Sequence, residues 1–389
     1  MEHKFDSDIK ENKEYTETNK KKVGRLCFVA AFTSPTFSGR VASELLLATR
    51  ALELPVSASD RKTYLHTKDF YYAPYITKVL ERPDSGRFRL WVSLLNDLPE
   101  KIEKGKMLVV TAFDPFSYDK KRVVALNNAV KVWVPSEAHL KACLKEGLAA
   151  EKIEVFPVPV NTRKFHPRVV CPDNLKPQEG VFRFILSACP INRKGIEEVL
   201  YAYIKEFKPS EKVELLIKLT HYPNLKKNLA FEIQDLKKKT GALNKMFAKV
   251  RIITEIMPDK EYAGLLASSD AYIYAGKTLS SSVTVKEAMA CALPVITHQN
   301  AAEVFGLQNE YAYIVPAETK MAKPETIYSQ SSEMAVLEID KQELAKAMRS
   351  AFNNPAKNSK MGLKAQRFIK TLPDWKDFAS KISTVVKNK

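Results

Sequence analysis

The segment Asp270–Thr297 carries residue types suited to binding a phosphorylated ligand. Its apolar start predicts a strand that ends at Ala275, and the pattern that follows predicts a helix opening near Thr284. Amide groups at a helix N-terminus point outward at the positive end of the helix dipole, where a diphosphate is stabilised. The segment therefore predicts a diphosphate beside Val283 and Thr284.

Glu287 lies one turn inside this predicted helix. Its carboxylate could accept hydrogen bonds from a ribose diol, as the acidic residue of dinucleotide sites does, or could balance the dipole of a surface helix. The preceding loop carries hydroxyl groups that can donate to and accept from sugar oxygens, on Ser280, Ser281 and Ser282. A solvated loop is the other interpretation of these serines.

Two further positions could contact phosphate. Lys194 follows an apolar run, and an ammonium group in such a loop can neutralise a diphosphate, although most lysines are simply exposed. Near the N-terminus, Gly39 allows close backbone approach or makes a turn, and Arg40 beside it could touch phosphate or be solvated. The six histidines and five cysteines show no metal-ligand spacing.

These residues must be held by two series of buried strands that alternate with helical segments, which is typical of parallel sheets covered by helices on both faces. The first series comprises strands at Arg25–Phe32, Arg89–Leu95, Met107–Ala112, Lys131–Pro135 and Lys152–Val158, a loop at Ser34–Arg40 and a helix at Val41–Leu52. The second comprises strands at Phe182–Ala188, Val213–Thr220, Lys249–Thr254, Asp270–Ala275 and Pro294–Thr297, and helices at Gly195–Phe207, Phe231–Lys239, Asp259–Ser268, Thr284–Cys291, Gln342–Phe352 and Asp374–Val386.

Composition fits a globular protein with reduced cysteines that binds anionic partners. Hydrophobic residues make up 45% of the 389 residues, and the formal net charge of +17 favours phosphorylated or membrane partners. No run is apolar enough to span a bilayer. The polar N-terminus lacks the apolar region of a signal peptide, so we do not expect export. We expect a cytoplasmic protein that could bind peripherally to an anionic membrane. Nucleic acid is not an expected partner, because no stretch interleaves basic and aromatic residues.

The stretch KEAMACALPVIT, which begins at Lys286, resembles the most recognisable segment of GT4-like glycosyltransferases. Further similar stretches follow the family's order, at Ser38–Val56, Val110–Ala129, Val132–Pro167 and Phe184–Phe207. The resemblance implies the GT-B fold, an α/β architecture of two Rossmann-like domains facing a central cleft. It also implies roles for individual residues: Glu287 at the donor ribose, Lys194 at the donor diphosphate, and Gly39, Arg40 and Asp114 in the acceptor-side loops.

Composition sets the domain limits. Residues 1–22 are polar and Lys-rich, which predicts a disordered basic tail or, alternatively, a basic anchor arm. Residues 166–180 are polar and contain three prolines, which predicts a linker after an N-terminal acceptor-side domain over 23–165. A nucleotide-sugar-binding domain over 181–370 follows, and 371–389 form a C-terminal helix that could cross back to the first domain.

Several positions depart from the family pattern. Leu279 stands where a first Glu would contact the donor sugar, Ala188 replaces an Arg six positions before Lys194, and Pro159–Asn161 replaces Gly-Val-Asp. We expect a retaining, metal-independent glycosyltransferase that uses a nucleoside diphosphate sugar, an unidentified acceptor (glycan, lipid or protein) and no cofactor. The serines would then replace the missing Glu at the donor sugar. The departures leave a second hypothesis, a catalytically impaired binding or partner subunit. An epimerase or phosphorylase of the same shape is the other enzymatic alternative.

Overall fold

A computed structural model of the chain describes residues 26–30, 32, 37–50, 52, 55–60, 74–81, 88–93, 101–111, 120–188, 194–219, 234, 238, 247–278, 283–322 and 334–388. The predicted basic tail, residues 1–22, lies outside these ranges, as does almost all of the predicted helix Phe231–Lys239.

The first half of the chain forms a six-stranded parallel sheet of order β2-β1-β3-β4-β5-β6. Its apolar strands are buried on both faces, as expected for a parallel sheet. The strands are β1 (Leu26–Ala30), β2 (Val56–Asp60), β3 (Phe88–Ser93), β4 (Met107–Thr111), β5 (Lys131–Val134) and β6 (Ile153–Val155). The helices are α1 (Phe37–Arg50), α2 (Pro74–Leu80), α3 (Lys120–Ala125) and α4 (Glu137–Lys145).

The second half repeats this design with the order β12-β11-β10-β7-β8-β9, again all parallel. The strands are β7 (Phe182–Ala188), β8 (Val213–Leu219), β9 (Lys249–Ile253), β10 (Ala271–Tyr274), β11 (Val295–His298) and β12 (Ala312–Val315). The helices are α5 (Ile196–Glu206), α6 (Asp259–Ala267), α7 (Val283–Ala290), α8 (Gln299–Phe305), α9 (Lys341–Asn353) and α10 (Pro355–Thr371).

Two elements lie apart from this repeat. An antiparallel pair, β13 (Ala317–Ala322) and β14 (Met334–Ile339), follows β12. The last helix, α11 (Trp375–Lys387), packs against α1, and Phe378 enters the core of the first sheet beside Trp133 and Phe156. The end of the chain thus returns to the first half.

The structure changes one local expectation. The predicted loop Ser34–Arg40 is wrong at its end, because α1 begins at Phe37 and puts Gly39 and Arg40 in a helix. The helix extends this far because Val41, Ala42, Leu45 and Leu46 bury one stripe of its surface. The segment predicted as a linker packs closely on the second half: Cys171 and Leu175 are buried in its core.

Candidate functional site

The first turn of α7 packs at the carboxyl edge of the second sheet. All four residues of β10 are buried, and the Tyr272 hydroxyl donates a hydrogen bond to Oγ1 of Thr284 at 2.8 Å. Val283 is buried among side chains of the first half of the chain. The predicted diphosphate residues Val283 and Thr284 therefore sit where the two halves meet, and the Thr284 hydroxyl is already engaged as an acceptor.

Gly195 brings the start of α5 against the end of β10. Its φ is +68°, a left-handed conformation, and a Cβ there would lie only 1.9 Å from the carbonyl oxygen of Ala275. Only glycine fits both requirements. Lys194 directly precedes Gly195, so this close approach places it beside the end of β10, the strand that leads toward α7. Lys194 and the start of α7, both predicted to bind the diphosphate, therefore lie next to each other.

Glu287 is buried, with 3% of its surface exposed. Nη2 of Arg40 donates to its Oε1, and Oε2 has no hydrogen-bond partner among the described residues. Burial raises the pKa of Glu287, and the positive charge of Arg40 opposes this rise. A buried carboxylate oxygen without a donor is costly, and an incoming hydroxyl group would relieve that cost.

Arg40 belongs to a network of charged groups that crosses between the two halves. Lys164 Nζ lies 2.5 Å from Glu44 Oε1 and 3.0 Å from Asp259 Oδ2, and Arg40 Nη1 lies 3.9 Å from Asp259 Oδ1. Asn161 donates to Glu44 at 2.9 Å. Burial lowers the pKa of Arg40, but the attraction of Glu287 and Asp259 outweighs it and raises that pKa above its usual value.

All of these groups except Lys164 line one pocket in the cleft between the two halves. Its walls come from α1, the segment after β6, the N-termini of α6 and α7, and α11. The lining residues are Arg40, Val41, Glu44, Pro159, Val160, Asn161, Phe165, Asp259, Val283, Glu287 and Trp375. The Arg40 guanidinium also lies over the Tyr262 ring, 5.8 Å from its centroid. The pocket thus combines paired charges with one unpaired carboxylate oxygen.

The predicted site residues divide into four groups. Arg40, Glu287 and Val283 share the pocket, and Lys194 and Thr284 lie on the neighbouring edge of the second sheet. Gly39 is buried in α1. Outside the described residues lie Leu279, Ser280, Ser281, Ser282 and Asp114.

Sequence reasoning missed four residues of the network. Glu44 lies one helical turn after Arg40, a spacing that puts both on one face of α1. Asn161 was noted only as a departure from a pattern. Lys164 and Asp259 gave no local signal, because their partners are distant in the chain.

No group of three or more histidine, cysteine, aspartate or glutamate residues that could hold a metal ion occurs in the described ranges. Within those same ranges, none of the helices is long and apolar enough to cross a membrane.

Two six-stranded parallel sheets, covered by helices and joined by a returning last helix, define the GT-B fold. HepE from Anabaena, solved with UDP and glucose, matches with a TM-score of 0.64 and 13% identity over 94% of this chain and 100% of that chain. Sucrose-phosphate synthase from Thermosynechococcus elongatus matches with a TM-score of 0.67 and 14% identity over 94% and 98%. WaaG, a glycosyltransferase involved in lipopolysaccharide biosynthesis, matches with a TM-score of 0.62 and 11% identity over 94% and 100%. The expected α/β fold is confirmed.

No family model and no curated protein matches the sequence.

Proposed function

We propose that this protein is a glycosyltransferase that moves a sugar from a nucleoside diphosphate sugar to an acceptor hydroxyl. The fold supports this, because HepE of the same fold was solved with UDP, with UDP-glucose, and with UDP and glucose. Oε2 of buried Glu287, which has no hydrogen-bond partner in the part of the chain that the structure describes, supports it most directly. A ribose hydroxyl is a donor of the right type for that oxygen, and Arg40 can remain bound to Oε1.

The proposed mechanism retains the configuration of the transferred sugar and uses neither a metal nor a cofactor. The leaving diphosphate assists attack on the same face of the sugar, so the protein needs to position and neutralise it rather than supply a nucleophile. Lys194 would provide a positive charge for this, and the amides of Val283 and Thr284 would provide the helix N-terminus. We further propose the domain limits 23–165 and 181–370 for the acceptor and donor sides.

Nucleotide binding tests the role of Glu287. We expect Glu287→Gln to weaken UDP binding about ten- to hundredfold in calorimetry, the effect of losing a charged hydrogen-bond partner. The loss should be much smaller for 2′,3′-dideoxy-UDP, which lacks the diol. Glu303→Gln, an exposed glutamate on α8, is the matched control and should bind both ligands like the wild type. Equal losses for both ligands would remove Glu287 from the ribose.

Lys194→Ala tests the diphosphate side. We expect it to weaken UDP binding about tenfold or more and to leave uridine binding unchanged, since only UDP carries the phosphates. Unchanged UDP affinity would exclude Lys194 from the site.

Product formation separates the enzyme from the second candidate, a catalytically impaired subunit, which Leu279 and Ala188 favour. We expect sugar release from UDP-glucose or another nucleotide sugar, undiminished by EDTA, with retained anomeric configuration in NMR of the product. Tight nucleotide binding with no turnover of any donor would support the impaired subunit. An inverted product would refute retention.

The serine loop is tested separately. We propose that Ser280, Ser281 and Ser282 contact the donor sugar in place of the Glu that Leu279 replaces. The triple alanine variant should then bind UDP normally and UDP-sugar more weakly. Equal weakening of both ligands would put the serines at the phosphates.

We also propose peripheral binding to anionic membranes, supported by the net charge of +17. Each well-placed basic residue adds about 1 kcal/mol to such binding. The protein should therefore sediment with anionic vesicles at low salt and far less with neutral ones. Equal partition between the two would contradict this.

A further inference from the structure

Lys218 is a buried lysine that the proposed mechanism does not use. It is the penultimate residue of β8, with 6% of its surface exposed. Its ammonium donates to the carbonyl oxygen of Leu219 at 2.6 Å, and within the described part of the chain it makes no ion pair with a carboxylate. Buried lysines are rare unless they are paired, because removing the charge from water is costly. This position therefore carries a cost that packing alone does not explain.

The surroundings of Lys218 shift the pKa of its ammonium group. Burial lowers its pKa to about 8, the carboxylate of exposed Glu255 opposes this, and the positive charge of Arg40 lowers it further. An anion bound at Lys218 would favour the charged form of the lysine.

The strand register puts Lys218 at the edge where the donor is proposed to bind. It pairs with Ser187, and Leu219 pairs with Ala188, the last residues of β7 before the loop that leads to Lys194. Open parallel sheets bind their ligands at this carboxyl edge. Lys218 lies on the face of β8 that also carries Leu216, which packs in the core cluster of Tyr262 and Tyr272. Arg40 stacks on that same Tyr262.

We propose that Lys218 binds the donor diphosphate and supplies a positive charge in addition to that of Lys194. This rests on the proposed function. On binding, the ammonium would exchange its hydrogen bond to the Leu219 carbonyl for a charge-assisted bond to a phosphate oxygen, which is the stronger of the two. The charge would then come from the carboxyl end of β8, the strand that pairs with β7.

The test compares Lys218→Met, which keeps the length of the side chain, with Lys218→Arg, which keeps the charge. We expect Lys218→Met to weaken UDP binding about tenfold or more and to leave uridine binding unchanged, while Lys218→Arg stays close to the wild type. Lys212→Met, at the exposed opposite end of the same strand segment, is the control. The melting temperature of ligand-free Lys218→Met should equal or exceed that of the wild type, because an unpaired buried charge is removed.

The outcomes distinguish failure of the Lys218 proposal from failure of the proposed function. Lys218→Met that binds UDP as well as the wild type, or that weakens UDP and uridine equally, overturns the proposal and leaves the proposed function intact. A wild type that binds no nucleoside diphosphate contradicts the proposed function itself. Should Lys218→Met fail to fold, Lys218→Gln, which also removes the charge, is measured in the same way. Weaker binding of UDP with unchanged binding of uridine supports the proposal, and UDP binding equal to that of the wild type overturns it.

Discussion

The ion pair between Arg40 and Glu287 gives a sharp prediction for Arg40→Met. The variant leaves a carboxylate that is 3% exposed without its cation. Removing one partner of a buried pair costs about 3–5 kcal/mol. The Arg40 side chain is 23% exposed, so water can reach the vacated position and we take the lower value, about 3 kcal/mol. For a domain of this size the melting temperature should fall by about 6–12 °C.

The loss should depend on pH in a defined direction. Burial already raises the pKa of Glu287, and removing Arg40 takes away the group that opposes this. A carboxyl group whose pKa is higher in the folded state binds more protons there. Its contribution to stability is therefore fully present below the unfolded pKa and lost as pH rises through the folded pKa. Relative to the wild type, Arg40→Met should be most destabilised near pH 8 and recover toward pH 5.

The double variant Arg40→Met/Glu287→Gln is the decisive comparison. It removes both charges, so it should be clearly more stable than Arg40→Met alone at pH 8, as measured by urea denaturation. Arg163→Met, an exposed arginine in the segment after β6, should change stability by about 0.5 kcal/mol or less. Equal stability of the single and double variants, or a loss independent of pH, would refute a desolvated Arg40–Glu287 pair.

Three further variants test other parts of the fold. Gly195→Ala should cost about 3 kcal/mol in urea denaturation, because its Cβ would lie 1.9 Å from the Ala275 carbonyl at a φ of +68°; an unchanged midpoint would contradict this close approach. Phe378→Ala should cost about 3–5 kcal/mol by the same assay, since the side chain is fully buried, and a smaller loss would mean that α11 packs loosely. Lys286 is buried, donates to the Val158 carbonyl at 3.1 Å and has its pKa lowered by burial to about 8. The folded state binds fewer protons than the unfolded state, so stability should rise between about pH 8 and pH 10.5, and Lys286→Met should flatten that rise.

Strands could be predicted where apolar residues run without interruption. The prediction of Phe182–Ala188 matches β7, since its apolar core is bounded by polar residues and by Gly180. β2 was missed because its sequence, VSASD, is short and mostly polar, and only its position beside β1 makes it a strand. β13, AETKMA, was missed for a similar reason, because half of it is polar. β14, MAVLEI, is mostly apolar, but a short apolar run of this kind does not separate a strand from a helix.

The residues of the candidate site also differ in how far the sequence alone could predict them. Glu287 and Lys194 follow from local patterns, because a helix start and a strand end are encoded by adjacent residues. The contact of Arg40 with Glu287 joins residues 247 positions apart, and no periodicity in the sequence reports a contact of that kind. Arg40 was therefore predicted as a loop residue that touches phosphate or is solvated, and its place in an ion network could only come from the folded chain.

The return of α11 to the first half bears on how the protein is made. Phe378, Ile382 and Val386 belong to the same core as Leu26 and Phe28 of β1, so the first sheet is not fully covered until α11 emerges from the ribosome. Roughly 220 residues separate the end of β6 from α11, and at about 5–20 residues per second their synthesis takes about 10–40 s. During that interval the first half exposes an apolar groove over α1, β5 and β6. A chain that stops before Trp375 would keep this groove open permanently, and the nascent protein is then a natural client for chaperones that shield apolar surface.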